Sequence, residues 1–218
     1  MNSLRPALGF LARFLLVFVL LAAPWPGLHE GYAAVFCGAG NLLFGRFGSD
    51  GRVRFRPKPQ ADRKSDMELE LRNRSNDAEY VIEGSARLQG YKPTAYVVAL
   101  ILASPVRWSR RFRAVLWGLL GVNVYVAFRV LLFLVVGFTG DDTLALFHPG
   151  PALRAVLDFL HWLVVVSFAG WLILPLPIWA FATFRRADWA AIVQAEGGDP
   201  PADGKLTRSG EATGRGSH

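Results

Sequence analysis

Arg129 stands near the middle of VNVYVAFRVLLFLVV, residues 122–136, a run otherwise suited to hydrocarbon. A guanidinium at that depth costs at least ~2.5–3.5 kcal/mol on insertion scales, so its side chain must face protein or water. Two roles suit such a cation: a polar clamp between helices, or a member of a Cys–His–Arg catalytic site. Tyr125 lies one turn earlier on the same helix face. Arg154, Asp158 and His161 follow one another at spacings of four and three, which puts them on one stripe of a later helix. Counted inward from about Ala152, His161 reaches the depth of Arg129, roughly 13 Å. The spacing therefore predicts a structural intramembrane cluster of Tyr125, Arg129, Asp158 and His161, and favours the clamp over catalysis.

Cys37, in VFCGAGN, is the only cysteine. It excludes an internal disulfide and a CxxC metal site. A thiolate nucleophile needs a base and a cation beside it. His148, His161, Arg87 and Arg129 could supply them, but a lone cysteine among Gly and Ala is more often a small apolar side chain. No P-loop, dinucleotide fingerprint, HExxH or GxSxG motif occurs. No cofactor and no metal is expected.

The 218 residues are 52% hydrophobic and 19% charged, with net charge +7. The charges are segregated from the apolar runs. Much of the basic charge flanks those runs, where it sets membrane orientation and meets anionic lipid, so nucleic acid is not an expected partner. Residues 1–30 read as a signal-anchor transmembrane helix, with Pro24 after the small residues arguing against cleavage. Residues 31–92 carry period-two patterning. RVRFRP alternates Val53 and Phe55 with arginines, and MELELR alternates Met67, Leu69 and Leu71 with Glu68, Glu70 and Arg72. EYVIEG, 79–84, is a third short run. These predict short antiparallel strands with one apolar face, in an extracytoplasmic segment. Paired as a hairpin, the first two would set the arginine row against the glutamate row. So few strands have little core of their own, and their apolar face must lie on the membrane helices or on a partner.

Residues 93–186 predict three further spans, at about 93–107, 113–139 and 153–184. The first is short for a bilayer and extends only by snorkelling; a re-entrant segment is its competing reading. The last is ~48 Å if straight, and LPLP (Pro175, Pro177) predicts a kink. Arg107, Arg110, Arg111 and Arg113 form the main orientation signal. With Arg5 and Arg13, and with Arg185 and Arg186, they place both termini in the cytoplasm, and the strands and the Asp141–Asp142 loop outside. Residues 187–218 are expected to be a disordered cytoplasmic tail. Trp108, Trp162, Trp171, Trp179 and Trp189 read as interfacial or packing residues. The expected fold is thus mainly α: a four-helix transmembrane bundle with a small antiparallel β insert between the first and second spans, in a bacterial inner membrane.

SARLQGYKPTAYVVALILASPVRWSRRFRAVLWGLLGVNVYVAFRVLLFLV, residues 85–135, resembles the exosortase H-associated membrane proteins. The likeness lies in GYKPTA entering an apolar helix, then SPVRWSRRFR, then a long Leu/Val span. The same stretch looks distantly like the exosortases themselves, membrane cysteine transpeptidases. By that likeness Cys37 would be the nucleophile, Arg129 the arginine and His148, in FHPG, the third member. The exosortase pattern sets Asn three residues before the arginine, whereas here Asn123 precedes Arg129 by six. The resemblance therefore implies a non-catalytic accessory of the sorting system. Its partners would be the lipid bilayer and an exosortase or another membrane protein. A structural membrane protein unrelated to sorting is the remaining alternative.

Overall fold

Proline and glycine set where the helices of this chain stop. In the computed structural model, which describes residues 4–58, 65–139, 143–167, 170 and 172–184, helix α1 (Leu4–Ala22) ends just before Pro24, and α2 (Trp25–Phe44) starts at once in a new direction. The two are bent by 82° at this break. A four-stranded antiparallel sheet follows, in the order β1 (Arg46–Phe47), β2 (Gly51–Pro57), β3 (Met67–Asn73), β4 (Ala78–Gly84). A π-helical turn, Arg87–Tyr91, leads into α3 (Lys92–Ala103), which stops at Ser104, one residue before Pro105. Helix α4 (Trp108–Gly137) is the longest, at 30 residues. Helix α5 (Pro151–His161) passes into a second π-helical turn, Trp162–Val166, and α6 (Pro175–Thr183) closes the described chain.

The expected four-span bundle is not the fold. Among the described residues there are six α-helices, and one of them contains a stretch long and apolar enough to cross a membrane, Arg110–Gly137 of α4. The 4–44 region passes that test only if the bent pair α1–α2 is taken together. Helix α3 has 12 residues, ~18 Å, well short of a ~30 Å hydrocarbon core. The expected last span breaks at Ser167, where the backbone leaves the π-helical turn in an extended conformation, and α6 begins separately at Pro175. Helix α2 also carries the chain helically to Phe44, through residues expected to begin the strand segment. Arg185, Arg186, the Asp141–Asp142 loop, Trp171, Trp189 and the 187–218 tail lie outside the described residues, as does the side chain of Arg5.

The period-two reading of the strands holds. Val53 and Phe55 of β2 and Met67, Leu69 and Leu71 of β3 are buried, and their alternates face outward. The buried face does not stand alone. It packs with Ala33 and Cys37 of α2, with Val130 and Leu134 of α4 and with Phe138 just past its end, forming one apolar cluster. Arg54 opposes Glu70 and Arg56 opposes Glu68, but Arg52 opposes Arg72, so the two charged rows match at two positions and clash at the third. A second cluster joins Val97 and Ile101 of α3 to Ala114 and Val122 of α4, with Ile178, Trp179 and Ala182 of α6 against it.

The small residues of CGAGN are explained by packing. A Cβ on Gly40 would lie 2.9 Å from the Phe55 ring, so only glycine lets α2 come this close to β2. Strand β1 has two residues and pairs only with Gly51 and Arg52, leaving the outer edge of β2 open beyond them. Asn41 fills that gap. Its amide nitrogen donates to the Phe55 carbonyl (2.9 Å), and its side-chain oxygen accepts from the Phe55 N–H (2.8 Å). Asn41→Ala should destabilise the protein by about 2–4 kcal/mol, since both backbone groups of Phe55 lose their partner. Asn41→Asp should recover part of that by keeping the acceptor. Denaturation midpoints of the purified variants check the order.

Candidate functional site

Asp66 sits where sheet and helices meet. It is buried, and its Oδ1 accepts from the Ala86 N–H (2.6 Å) while Oδ2 accepts from the Arg87 N–H (3.3 Å) and the Ser85 hydroxyl (3.4 Å). It thereby satisfies the first donors of the helical segment that runs through the Arg87–Tyr91 turn into α3. Nearby, Lys58 reaches Glu83 (3.0 Å) across the end of the sheet. Hydrogen bonds from Lys58 and Ser65 hold the Glu83 carboxyl below its ordinary range.

That helical segment carries Gln89 to one wall of a small cavity of about 20 Å³, whose other walls include Val126, Arg129, Val130 and Phe133 of α4 and Val165. Two π-helical turns, 87–91 and 162–166, thus meet at Arg129. Such turns free backbone groups that a regular α-helix would occupy. The chain leaves the second turn at Ser167, whose N–H reaches back to the Trp162 carbonyl (2.7 Å). The last carbonyls of a helix have no partner within it and carry partial negative charge. Arg129 Nη2 donates to the Val165 carbonyl (3.3 Å), and the Tyr125 hydroxyl donates to the Gly170 carbonyl. The Arg129 guanidinium lies 5.9 Å from the Tyr125 ring centroid, within cation–π range. Its Nε and Nη1 atoms are buried and have no acceptor among the described residues. The cavity is large enough for about one water molecule to reach them.

The expected cluster is therefore half assembled. Tyr125 and Arg129 do lie together, but their hydrogen bonds go to the backbone carbonyls of Val165 and Gly170. No ion pair joins Arg129 to Asp158 among the described residues: Asp158 is exposed on α5. His161 packs its ring 6.2 Å from Phe133 on α4 and makes no hydrogen bond to Arg129. The partial negative charge at the end of a helical turn takes the place expected of an acidic side chain, and it meets only one of the guanidinium nitrogens. No side-chain pattern in the sequence marks these two carbonyl acceptors.

The three residues of the transpeptidase alternative are not assembled. Cys37 is 2% exposed and packed in the apolar cluster between α2, the sheet and α4. His148 is exposed on the segment between α4 and α5. No hydrogen bond or ion pair links Cys37, Arg129 and His148 among the described residues. No group of three potential metal ligands occurs among them either.

No family model, curated protein or solved structure matches this chain.

The rest of the chemistry-bearing sequence lies at the start of α4. Arg107, Arg110 and Arg113 are exposed. Arg111 is not simply a surface charge. Its Nε donates to the Val106 carbonyl (2.9 Å) and its Nη2 to the Ser104 carbonyl (3.3 Å), while the guanidinium lies over the Trp108 ring at 5.0 Å. It ties the end of α3 to the start of α4. Trp179 of α6 donates to the Ser104 hydroxyl (3.0 Å), closing the same corner.

Beyond that corner, α4 presents a long uncovered apolar face. Phe112, Leu116, Trp117, Leu120, Val124, Phe128 and Leu131 are all exposed. From Phe112 to Leu131 is ~28 Å of helix, close to the ~30 Å thickness of a bilayer core. Of the most apolar stretch of α4, 28% is buried inside the molecule, far less than a core helix of a water-soluble protein would show. Asn123, the polar residue on this surface, satisfies itself by donating to the Leu119 carbonyl (2.8 Å).

Proposed function

We propose that this chain is an inner-membrane protein anchored through α4, and that it serves as a non-catalytic accessory of an exosortase-type protein-sorting or envelope pathway. The uncovered apolar face from Phe112 to Leu131 carries the membrane part of the reading. In water such a face would be a large aggregation-prone patch; in a bilayer it is solvated. Arg107, Arg110 and Arg113 at the start of α4 favour a cytoplasmic N-terminal end for that helix, with the sheet on the opposite side. The sorting part rests on the resemblance across residues 85–135. The accessory role, as opposed to an enzymatic one, is supported by the burial of Cys37 in the apolar cluster, where it makes no hydrogen bond to His148 or Arg129.

The test is genetic. In a host that carries an exosortase, deleting this gene should lower processing of a reporter bearing a C-terminal sorting tail. Cys37→Ser should restore processing fully. Unchanged processing on deletion would remove the sorting role. A Cys37→Ser protein that accumulates normally in the membrane but fails to restore processing would make the chain an enzyme.

A further inference from the structure

The polar face of the sheet holds an electrostatic imbalance that the fold alone does not resolve. Arg46 of β1 lies directly opposite Arg52 of β2, which lies directly opposite Arg72 of β3. Like charges at opposed positions of antiparallel strands are destabilising. Arg72 has a carboxylate of its own, Asp77. Glu70 lies opposite Arg54 yet makes its ion pair with Arg56, at 3.1 Å. Among the described residues, Arg46, Arg52 and Arg54 are left with no carboxylate in ion-pair range. All three line one open cleft of about 550 Å³, and no acidic residue lines it with them.

The other wall of this cleft is the end of α2, with Leu42 at 86% and Leu43 at 62% exposure. The Asn41 side chain is taken up by Phe55 and does not compete for a ligand. A cationic wall facing an uncovered apolar one matches a molecule with an anionic head and a hydrocarbon tail. The sheet beside it packs on Val130, Leu134 and Phe138, where the bilayer-length face of α4 ends. On the membrane reading above, the cleft belongs to the end of the molecule where the apolar face of α4 stops, the end nearest the lipid headgroups.

We propose that the cleft between the end of α2 and strands β1–β2 binds an anionic phospholipid, with Arg46, Arg52 and Arg54 on the phosphate and Leu42 and Leu43 against the acyl chains. The inference rests on the membrane reading above for the supply of lipid. It does not rest on the sorting role.

The test uses the full chain purified in an uncharged detergent, with bound lipid counted by native mass spectrometry. Dioleoyl phosphatidylglycerol should bind at least tenfold more tightly than dioleoyl phosphatidylcholine. Each basic residue near an anionic surface is worth on the order of a fivefold factor. The triple variant R46Q/R52Q/R54Q should therefore lose roughly 100-fold in phosphatidylglycerol affinity, with phosphatidylcholine unchanged. Arg74→Gln, on the same domain but outside the cleft, should bind as the parent does. If the triple variant elutes as an aggregate, Arg52→Gln alone should still show a loss of about fivefold. Equal affinity for the two lipids, or a well-folded triple variant that binds like the parent, would overturn the proposal. So would glycerol phosphate competing at the same concentration as the lipid, since that would make the cleft a site for soluble anions. Carbonate washing of membranes separates the two readings: the triple variant should remain in the pellet with the parent. Release of the parent itself would sink the membrane anchor, while the detergent titration would still report on the cleft.

Discussion

Leu120→Asp combined with Val124→Asp should abolish stable accumulation of this protein in membranes. Both side chains lie near the middle of α4 and are largely exposed, at 54% and 62%. On insertion scales an aspartate at the centre of a spanning helix costs ~2.5–3.5 kcal/mol, so two should cost about 5–7 kcal/mol. A tenfold change needs only ~1.4 kcal/mol. The amount in carbonate-washed membranes should fall by well over tenfold. The same pair in a water-soluble protein would change stability by about ±0.5 kcal/mol each, because exposed positions tolerate charge. The sign of the result thus separates lipid from water as the solvent of this face. Val81→Lys provides the comparison. Val81 is as exposed, at 53%, but lies on β4 opposite Glu70, on the polar side of the sheet. It should leave membrane accumulation unchanged.

The parts of the fold that were legible in the sequence are those whose cause is local. The alternation in RVRFRP and MELELR fixes which face of β2 and β3 is buried, and the register follows from the hairpin. The largely apolar run of 114–137, charged only at Arg129 and without proline, marks α4. An apolar run of the right length is not always one helix. The runs holding LAAPWPG and LPLP are apolar enough for a span, but the first divides at Pro24 into α1 and α2, bent by 82°, and in the second α6 starts afresh at Pro175. The candidate site shows the same asymmetry. Tyr125 and Arg129 share a face by helical spacing, and they do lie together. Their acceptors are backbone carbonyls 36 and 45 residues away, at a helix end produced by tertiary packing. No side-chain pattern encodes such a partner. Arg111 likewise reads as one charge among four, and becomes a clamp on the end of α3 only when α3 and α4 are folded against each other. Asn41 was hidden for the opposite reason. Its two hydrogen bonds replace strand pairing that β1 is too short to provide.

Asp66→Ala is expected to be, with Asn41→Ala, among the most damaging single changes outside the membrane-facing surface. The residue links three things at once. Its carboxylate receives the Ala86 and Arg87 N–H groups at the start of the segment leading to α3, and its own N–H donates to the Gly84 carbonyl at the end of β4 (3.1 Å). Its carbonyl accepts from the Lys58 N–H at the end of β2 (3.1 Å). Alanine keeps the backbone bonds and removes the cap. Two donors are then left without a partner in a buried setting, each worth about 1–3 kcal/mol, so the loss should be about 2–4 kcal/mol after local relaxation. Tm should fall by roughly 5–15 °C for a chain of this size. Asp66→Asn retains one acceptor oxygen and should lose less than half as much. The consequence extends to Arg129, because Gln89 reaches its cavity only through the turn that Asp66 starts. Amide exchange should therefore quicken at 86–91 in Asp66→Ala while the β2–β3 amides stay protected. Loss of protection spread evenly over sheet and helices would instead mean that the carboxylate supports the whole fold, with no special hold on the Arg129 pocket.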